Sequence, residues 1–160
     1  PSGAGNVIQA IGVMLPIPVE KIIEGLETVR IAVILVAGHY PLLHKVATVC
    51  RKFGVRTMFN ILGPLLNPAL ARNQVLGVFS PALQDLCANT GKQDGMQHML
   101  VVHDCDGIDE ITLFGSTRIV ELRDNCLFDH IIYPKEFGMK NVDDLSALDG
   151  AIGPQRDISF

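Results

Sequence analysis

The sequence has no C-x-x-C pair, no run of basic residues and no apolar stretch long enough to cross a bilayer. Each absence removes a class of function. The four cysteines, Cys50, Cys87, Cys105 and Cys126, stand far apart. Neither metal-ligand spacing nor a disulfide framework is supported, and free thiols in a reducing cytoplasm are expected. Thirteen Lys and Arg against seventeen Asp and Glu give a net charge of −4, which argues against a general nucleic-acid or membrane-surface role. The longest strongly apolar run, Ile31 to Ala37, is too short to span a membrane, and no signal peptide is visible. Internal repeats, low-complexity tracts and flexible linkers are missing as well. So are a G-x-S-x-G elbow, a Walker loop, a G-x-G-x-x-G fingerprint and a Ser-His-Asp order.

What is present suits a globular chain. Of 160 residues, 48% are apolar and 19% charged, a balance that allows one domain or a large part of one. Ala4 to Met14 reads as a helix, broken by Pro16 and Pro18. Val19, Ile22, Ile23, Leu26 and Val29 repeat at helical spacing opposite Glu20, Glu24 and Glu27. The unbroken run IAVILVA, Ile31 to Ala37, predicts a strand covered on both faces. Leu42 to Phe53 is helical again, with Gly54 as its stop. Val75 to Phe79 and Met99 to His103 read as buried strands, and Ser80–Pro81 as a capped helix start between them. From Ile111 onward, ITLFG, TRIVELR and CLFDHIIYP read as antiparallel strands. The predicted class is α/β: a mostly parallel central sheet with helices on both faces and antiparallel strands toward the C-terminal part.

Two stretches stand out chemically. In RTMFNILGPLLNP, Arg56 to Pro68, an apolar run meets Gly63–Pro64 and then Asn67–Pro68. Glycine lacks a Cβ and proline fixes φ, so the main chain there is stiff and bare; the plainer reading is a helix end followed by a turn. In HDCDGIDEI, Asp104, Asp106, Asp109 and Glu110 follow a predicted buried strand, at the end where open sheets gather ligands. Hard oxygen donors at that density suit magnesium, while the plainer reading is a solvated acidic loop. Adjacent Asp109 and Glu110 serve one metal only from a bend, which Gly107 permits. His39, His44 and His103 also flank strand ends, where histidine is more often structural than catalytic.

With these pieces in order, the chain resembles the anthranilate phosphoribosyltransferase family. The motifs are GVRTMFNILGPLLNP, QVLGVFSP, MLVVHDCDGIDEITLFGSTRIVELRD and KEFGM; PSGAGNVIQAIGV is similar to the tail of the family's SSKSGSADVLEALG segment. The resemblance implies transfer of a phosphoribosyl group from phosphoribosyl pyrophosphate to anthranilate in tryptophan biosynthesis. It implies that Gly63 and Pro64 wall the anthranilate pocket, with Tyr40 and Cys50 at its other contact positions. Ser2 and Gly3 fall in the segment that meets phosphoribosyl pyrophosphate, and Asp109 and Glu110 at the magnesium site. A cytoplasmic enzyme is implied, homodimeric through a helical domain in its complete form.

Departures from the family accompany the matches. Tyr40 stands at the family's histidine, with His39 beside it, and Cys50 at the arginine that meets anthranilate. Arginine pairs bidentately with a carboxylate and a thiol does not; Arg51 lies one helical position, about 100°, away. Asn6 replaces an acidic residue. The family's GTGGD loop, N-x-S segment and KHGNR motif have no counterpart between Pro1 and Phe160. The expected extent is therefore one partial α/β domain, 1–160, without the N-terminal helical domain and C-terminal helices, and inactive alone. Two other readings are a related pentosyltransferase or pyrimidine nucleoside phosphorylase, against which LGPLLNP and GIDE argue, and a non-catalytic relative binding a ligand or nucleic acid.

Overall fold

A computed structural model describes residues 4–35, 38, 40 and 59–142. The chain divides into two compact units, residues 1–63 with 148–160, and residues 64–147. The predicted helix Leu42 to Phe53 lies outside the described residues, as do Ser2, Gly3, His39, His44 and Cys50.

In the first unit, α1 spans Ala4–Ala10 and α2 Val19–Thr28. The prolines do not end α1. It stops at Gly12, whose φ of 99° carries the left-handed turn, with Gly12 N–H donating to Gln9 O at 3.0 Å and Val13 N–H to Ile8 O at 3.2 Å. That paired pattern is a Schellman ending, available where glycine follows the helix closely. On α2, the predicted apolar face has Ile22 buried, with Val19, Ile23 and Leu26 exposed. Residues 31–35 form no strand. An apolar run specifies what is buried, but a strand also needs a ladder partner for its backbone, and none is formed among the described residues.

A third helix, α3, covers Phe59–Leu65 and has Pro64 inside it. Proline has no N–H for the carbonyl four residues back, so the helix ends one residue later. Beyond it, Asn67 Oδ1 accepts the Ala69 N–H at 3.0 Å and Asn67 O accepts the Leu70 N–H at 3.0 Å, making a side-chain-supported turn.

The second unit carries a sheet in sequence order: β1 (Asn73–Gly77), β2 (His98–Asp104), β3 (Thr117–Arg123) and β4 (Cys126–Ile132). β1 and β2 are parallel, joined by α4 (Pro81–Gln93); β2–β3 and β3–β4 are antiparallel. The α/β class and the antiparallel C-terminal strands hold, and the described sheet contains one parallel and two antiparallel pairings. ITLFG is a series of bends rather than a strand. There Thr117 Oγ1 accepts the Thr112 N–H at 3.1 Å and Thr112 Oγ1 the Phe114 N–H at 3.0 Å, so hydroxyls replace a neighbouring strand.

Register builds the core. Val101 lies opposite Val120 and Met99 opposite Leu122, and all four are buried, together with Cys87 and Ala88 of α4. Burying a side chain of this size stabilises by about 1.5–3 kcal/mol. α4 meets the sheet through small residues: a Cβ on Gly91 would stand 2.6 Å from Met99 Sδ. Gln84, fully buried, donates through Nε2 to Val101 O at 2.9 Å and Arg118 O at 2.8 Å, tying the helix to both strands. Ser80 takes the extended N-cap conformation ahead of Pro81 but makes no side-chain capping bond. Asp124 and Asn125, at φ 51° and 59°, close the β3–β4 hairpin as a two-residue turn with the twist that hairpins favour.

Candidate functional site

The acidic loop grows directly from the carboxyl end of β2. Asp104, its last residue, is 1% exposed. Its Oδ1 accepts the N–H of Asp106 at 3.0 Å and of Ile108 at 2.6 Å. Its own N–H donates to Ile108 O at 3.1 Å, and Gly107 N–H returns to Asp104 O at 3.3 Å. Gly107, at φ 89°, supplies the reversal. Asp109 and Glu110 follow on a bend, both exposed. The carbonyl of Asp109 rests against Gly77, the last residue of β1, and a Cβ there would overlap that oxygen. Two strand ends thus hold the loop.

This donor set fits magnesium, which takes one or two carboxylates and leaves other positions to water and substrate phosphates. Among the described residues no group of three or more His, Cys, Asp or Glu forms a closed metal cage.

His103, buried in β2, has its Nδ1 2.7 Å from Val78 O. A carbonyl only accepts, so Nδ1 carries the proton and the ring is a structural tie between β2 and the chain after β1. This is the structural reading of a strand-end histidine.

The Gly63–Pro64 segment is anchored elsewhere. Gln74 Nε2, from the second position of β1, donates to Pro64 O at 3.0 Å, leaving Gln74 Oε1 buried without a partner among the described residues. Gln74 stands three residues before Gly77, roughly 10 Å along the strand at the usual rise. Pro64 and Asp109 are therefore tied to different points of β1. A Cβ on Gly63 would meet no atom within 4 Å among the described residues. Tyr40 is half-buried.

Sequence reasoning overlooked Gly77 and Gln74, and counted Asp104 only as one of four acids. The D-x-D-G spacing of Asp104 to Gly107 is the available signal, since Asp readily bonds the amide two residues on. Gly77 carries none, because its role depends on a loop distant in sequence.

A β-α-β unit extended by a hairpin, with an acidic loop at a strand's carboxyl end, defines an α/β domain. The sequence model of the glycosyl transferase family, a/b domain, matches residues 1–156, and the chain belongs to that family. It is 38% identical over 172 residues to the anthranilate phosphoribosyltransferase of Aromatoleum aromaticum, an alignment covering 98% of this chain and 50% of the relative. The chain thus spans about half the length of the curated relatives it matches. Among solved structures, the Saccharomyces cerevisiae anthranilate phosphoribosyltransferase in complex with 4-fluoroanthranilate superposes with a TM-score of 0.61 at 27% identity, over 71% of this chain and 32% of that one. The same yeast enzyme in complex with PRPP and Mg gives 0.56 at 28% identity, over 65% and 29%. No helix among the described residues is long and apolar enough to cross a membrane.

Proposed function

We propose that this chain is the α/β part of an anthranilate phosphoribosyltransferase, which joins anthranilate to phosphoribosyl pyrophosphate and releases pyrophosphate in tryptophan biosynthesis. The observation that carries the reading is the exposed Asp109–Glu110 pair on its pinned bend, in a chain similar to enzymes of that name over 98% of its length. Cytoplasmic location and a homodimeric complete enzyme belong to the same reading.

Asp109 and Glu110 would hold magnesium, directly or through water. When bound, the metal neutralises charge growing on the departing pyrophosphate. The chain's own residues do the positioning. Gly63 offers a face without a side chain, against which the flat anthranilate ring packs beside Pro64. On the same reading, Tyr40 and Cys50 stand at the sequence positions that meet anthranilate in the family, and Ser2 and Gly3 in the segment that meets phosphoribosyl pyrophosphate. Little acid–base help is needed, because pyrophosphate is a good leaving group and the anthranilate amine a sufficient nucleophile.

The test is a chimera in which this chain replaces the matching half of the Aromatoleum aromaticum relative. Anthranilate fluorescence should fall only with phosphoribosyl pyrophosphate and magnesium both present. Replacing Asp109 and Glu110 by Ala should reduce magnesium-dependent turnover far more than thermal stability; unchanged turnover at limiting magnesium sinks the assignment. The 160-residue chain alone should leave the fluorescence unchanged, because the cradle for the phosphates is not among its motifs.

Cys50→Arg in that chimera sharpens the substrate assignment. A charge-assisted pair to a carboxylate is worth about 1.5–3 kcal/mol, one to two decades of affinity. Calorimetry should show tighter anthranilate binding, and no gain means that the carboxylate is held elsewhere.

A further inference from the structure

Asp104 makes more contacts than a solvated acidic loop would give it. Four hydrogen bonds close residues 104–108: two amides onto Oδ1, at 3.0 and 2.6 Å, and two main-chain bonds at 3.1 and 3.3 Å. Both amides converge on the one oxygen, Oδ1. Oδ2 is buried with no partner among the described residues. A buried carboxylate oxygen without a donor costs stability, so this side chain holds its turn at the fold's expense. Its geometric product is the point at which the chain re-emerges: Asp109, with its carbonyl on Gly77, and then Glu110.

We propose that Asp104 is a positioning residue, whose carboxylate fixes the turn that aims Asp109 and Glu110 at one cation. The proposal rests on the reading of that pair as magnesium ligands. Asp104 itself is 1% exposed with Oδ1 taken up by two amides, and its role is to hold the turn from behind the pair. Removing its side chain frees the amides of Asp106 and Ile108, and the pair then samples orientations that do not converge on one ion. Because Oδ1 does the holding, an amide side chain with the same carbonyl oxygen should substitute for it.

Manganese(II), a paramagnetic stand-in for magnesium, is the probe, titrated into the 160-residue chain with amide line broadening as readout. Broadening should centre on residues 106–110 in the unaltered chain. Asp104→Ala should weaken the ion about 10–100-fold, the range found when groups that orient metal ligands are removed, and Asp104→Asn should restore most of that loss. The double variant D109N/E110Q separates the two ideas. If it binds manganese as the unaltered chain does, the pair is not the ligand set, and the reading and the proposal fall together. If it loses the ion while folded Asp104→Ala keeps it, the reading stands and the positioning role is overturned. Asp104→Asn as weak as the double variant would assign the effect to charge rather than to the turn, and also overturns it. Should Asp104→Ala not fold, amide exchange in the unaltered chain decides: the Ile108 amide must exchange slowly and stay slow in Asp104→Asn. Rapid exchange there means that the clamp is not closed.

Discussion

Gly77 ends β1 and Gly63 lies within α3, and the structure uses their missing side chains in opposite ways. At Gly77 the space is filled by the main chain of Asp109, so strand and loop touch where a Cβ would be. At Gly63 the space is open among the described residues. Gly63 also precedes a proline within a helix, a conformation that a Cβ disfavours by crowding the proline ring. One glycine is explained by a neighbour already present. The other is explained partly by its local conformation and partly by what could still arrive.

The largest effect should follow from Gly77→Ala. The obstacle is a main-chain oxygen, which cannot swing aside as a side-chain tip can, and overpacking of this kind costs about 1–3 kcal/mol. Urea denaturation of the chain should show that loss, with amide signals of residues 108–110 displaced. A midpoint equal to that of the unaltered chain would break the contrast.

Gly63→Ala should do much less to stability. Replacing a helical glycine gains about 0.5–1 kcal/mol, and crowding of the following proline opposes it, so the net change should stay within about 1 kcal/mol. In the chimera, the same substitution should raise the KM for anthranilate while leaving that for phosphoribosyl pyrophosphate in place. Equal effects on both would remove the ring-packing role.

The smallest effect serves as a control that touches neither glycine. Arg118 donates to Asp129 through Nη2 at 2.7 Å and Nε at 3.1 Å, and this hydrogen bonding holds the Asp129 carboxyl below its ordinary pKa. The Asp129 side chain is 57% exposed, so solvent screens the pair, and Asp129→Asn should cost about 0.2–1 kcal/mol at neutral pH. A depressed carboxylate pKa stabilises fully above the unfolded value, near 3.9, and the benefit disappears as pH falls through the folded value. Stability curves of the variant and the unaltered chain should therefore converge in acid. A gap that widens there would contradict the assignment.

Legibility in the sequence followed the kind of information each element needs. Strands β2, β3 and β4 and helix α4 were readable because apolar runs and a Ser-Pro start are local signals. The parallel β1–β2 pairing followed from the helix between them. ITLFG was misread because apolar content does not reveal that Thr112 and Thr117 satisfy the backbone themselves. Ile31 to Ala37 was misread over residues 31–35 because hydrophobicity does not guarantee a ladder partner. At the site, the positions of Asp109 and Glu110 at a strand's carboxyl end were legible. Gly77 was not, since its value depends on a loop brought back from thirty-odd positions away by the sheet.

The sheet's strand order, which repeats the order of the chain, bears on how the molecule is assembled. The two-residue link at Asp124–Asn125 brings β3 and β4 together with almost no loop entropy to overcome, whereas β1 reaches β2 only across α4. Refolding should accordingly begin in the hairpin and finish at the parallel pair. In a pulse-labelled refolding experiment, amides between Thr117 and Ile132 should gain protection before those of Asn73–Gly77. On that order, the ledge on which Asp109 sits is the last piece to be completed.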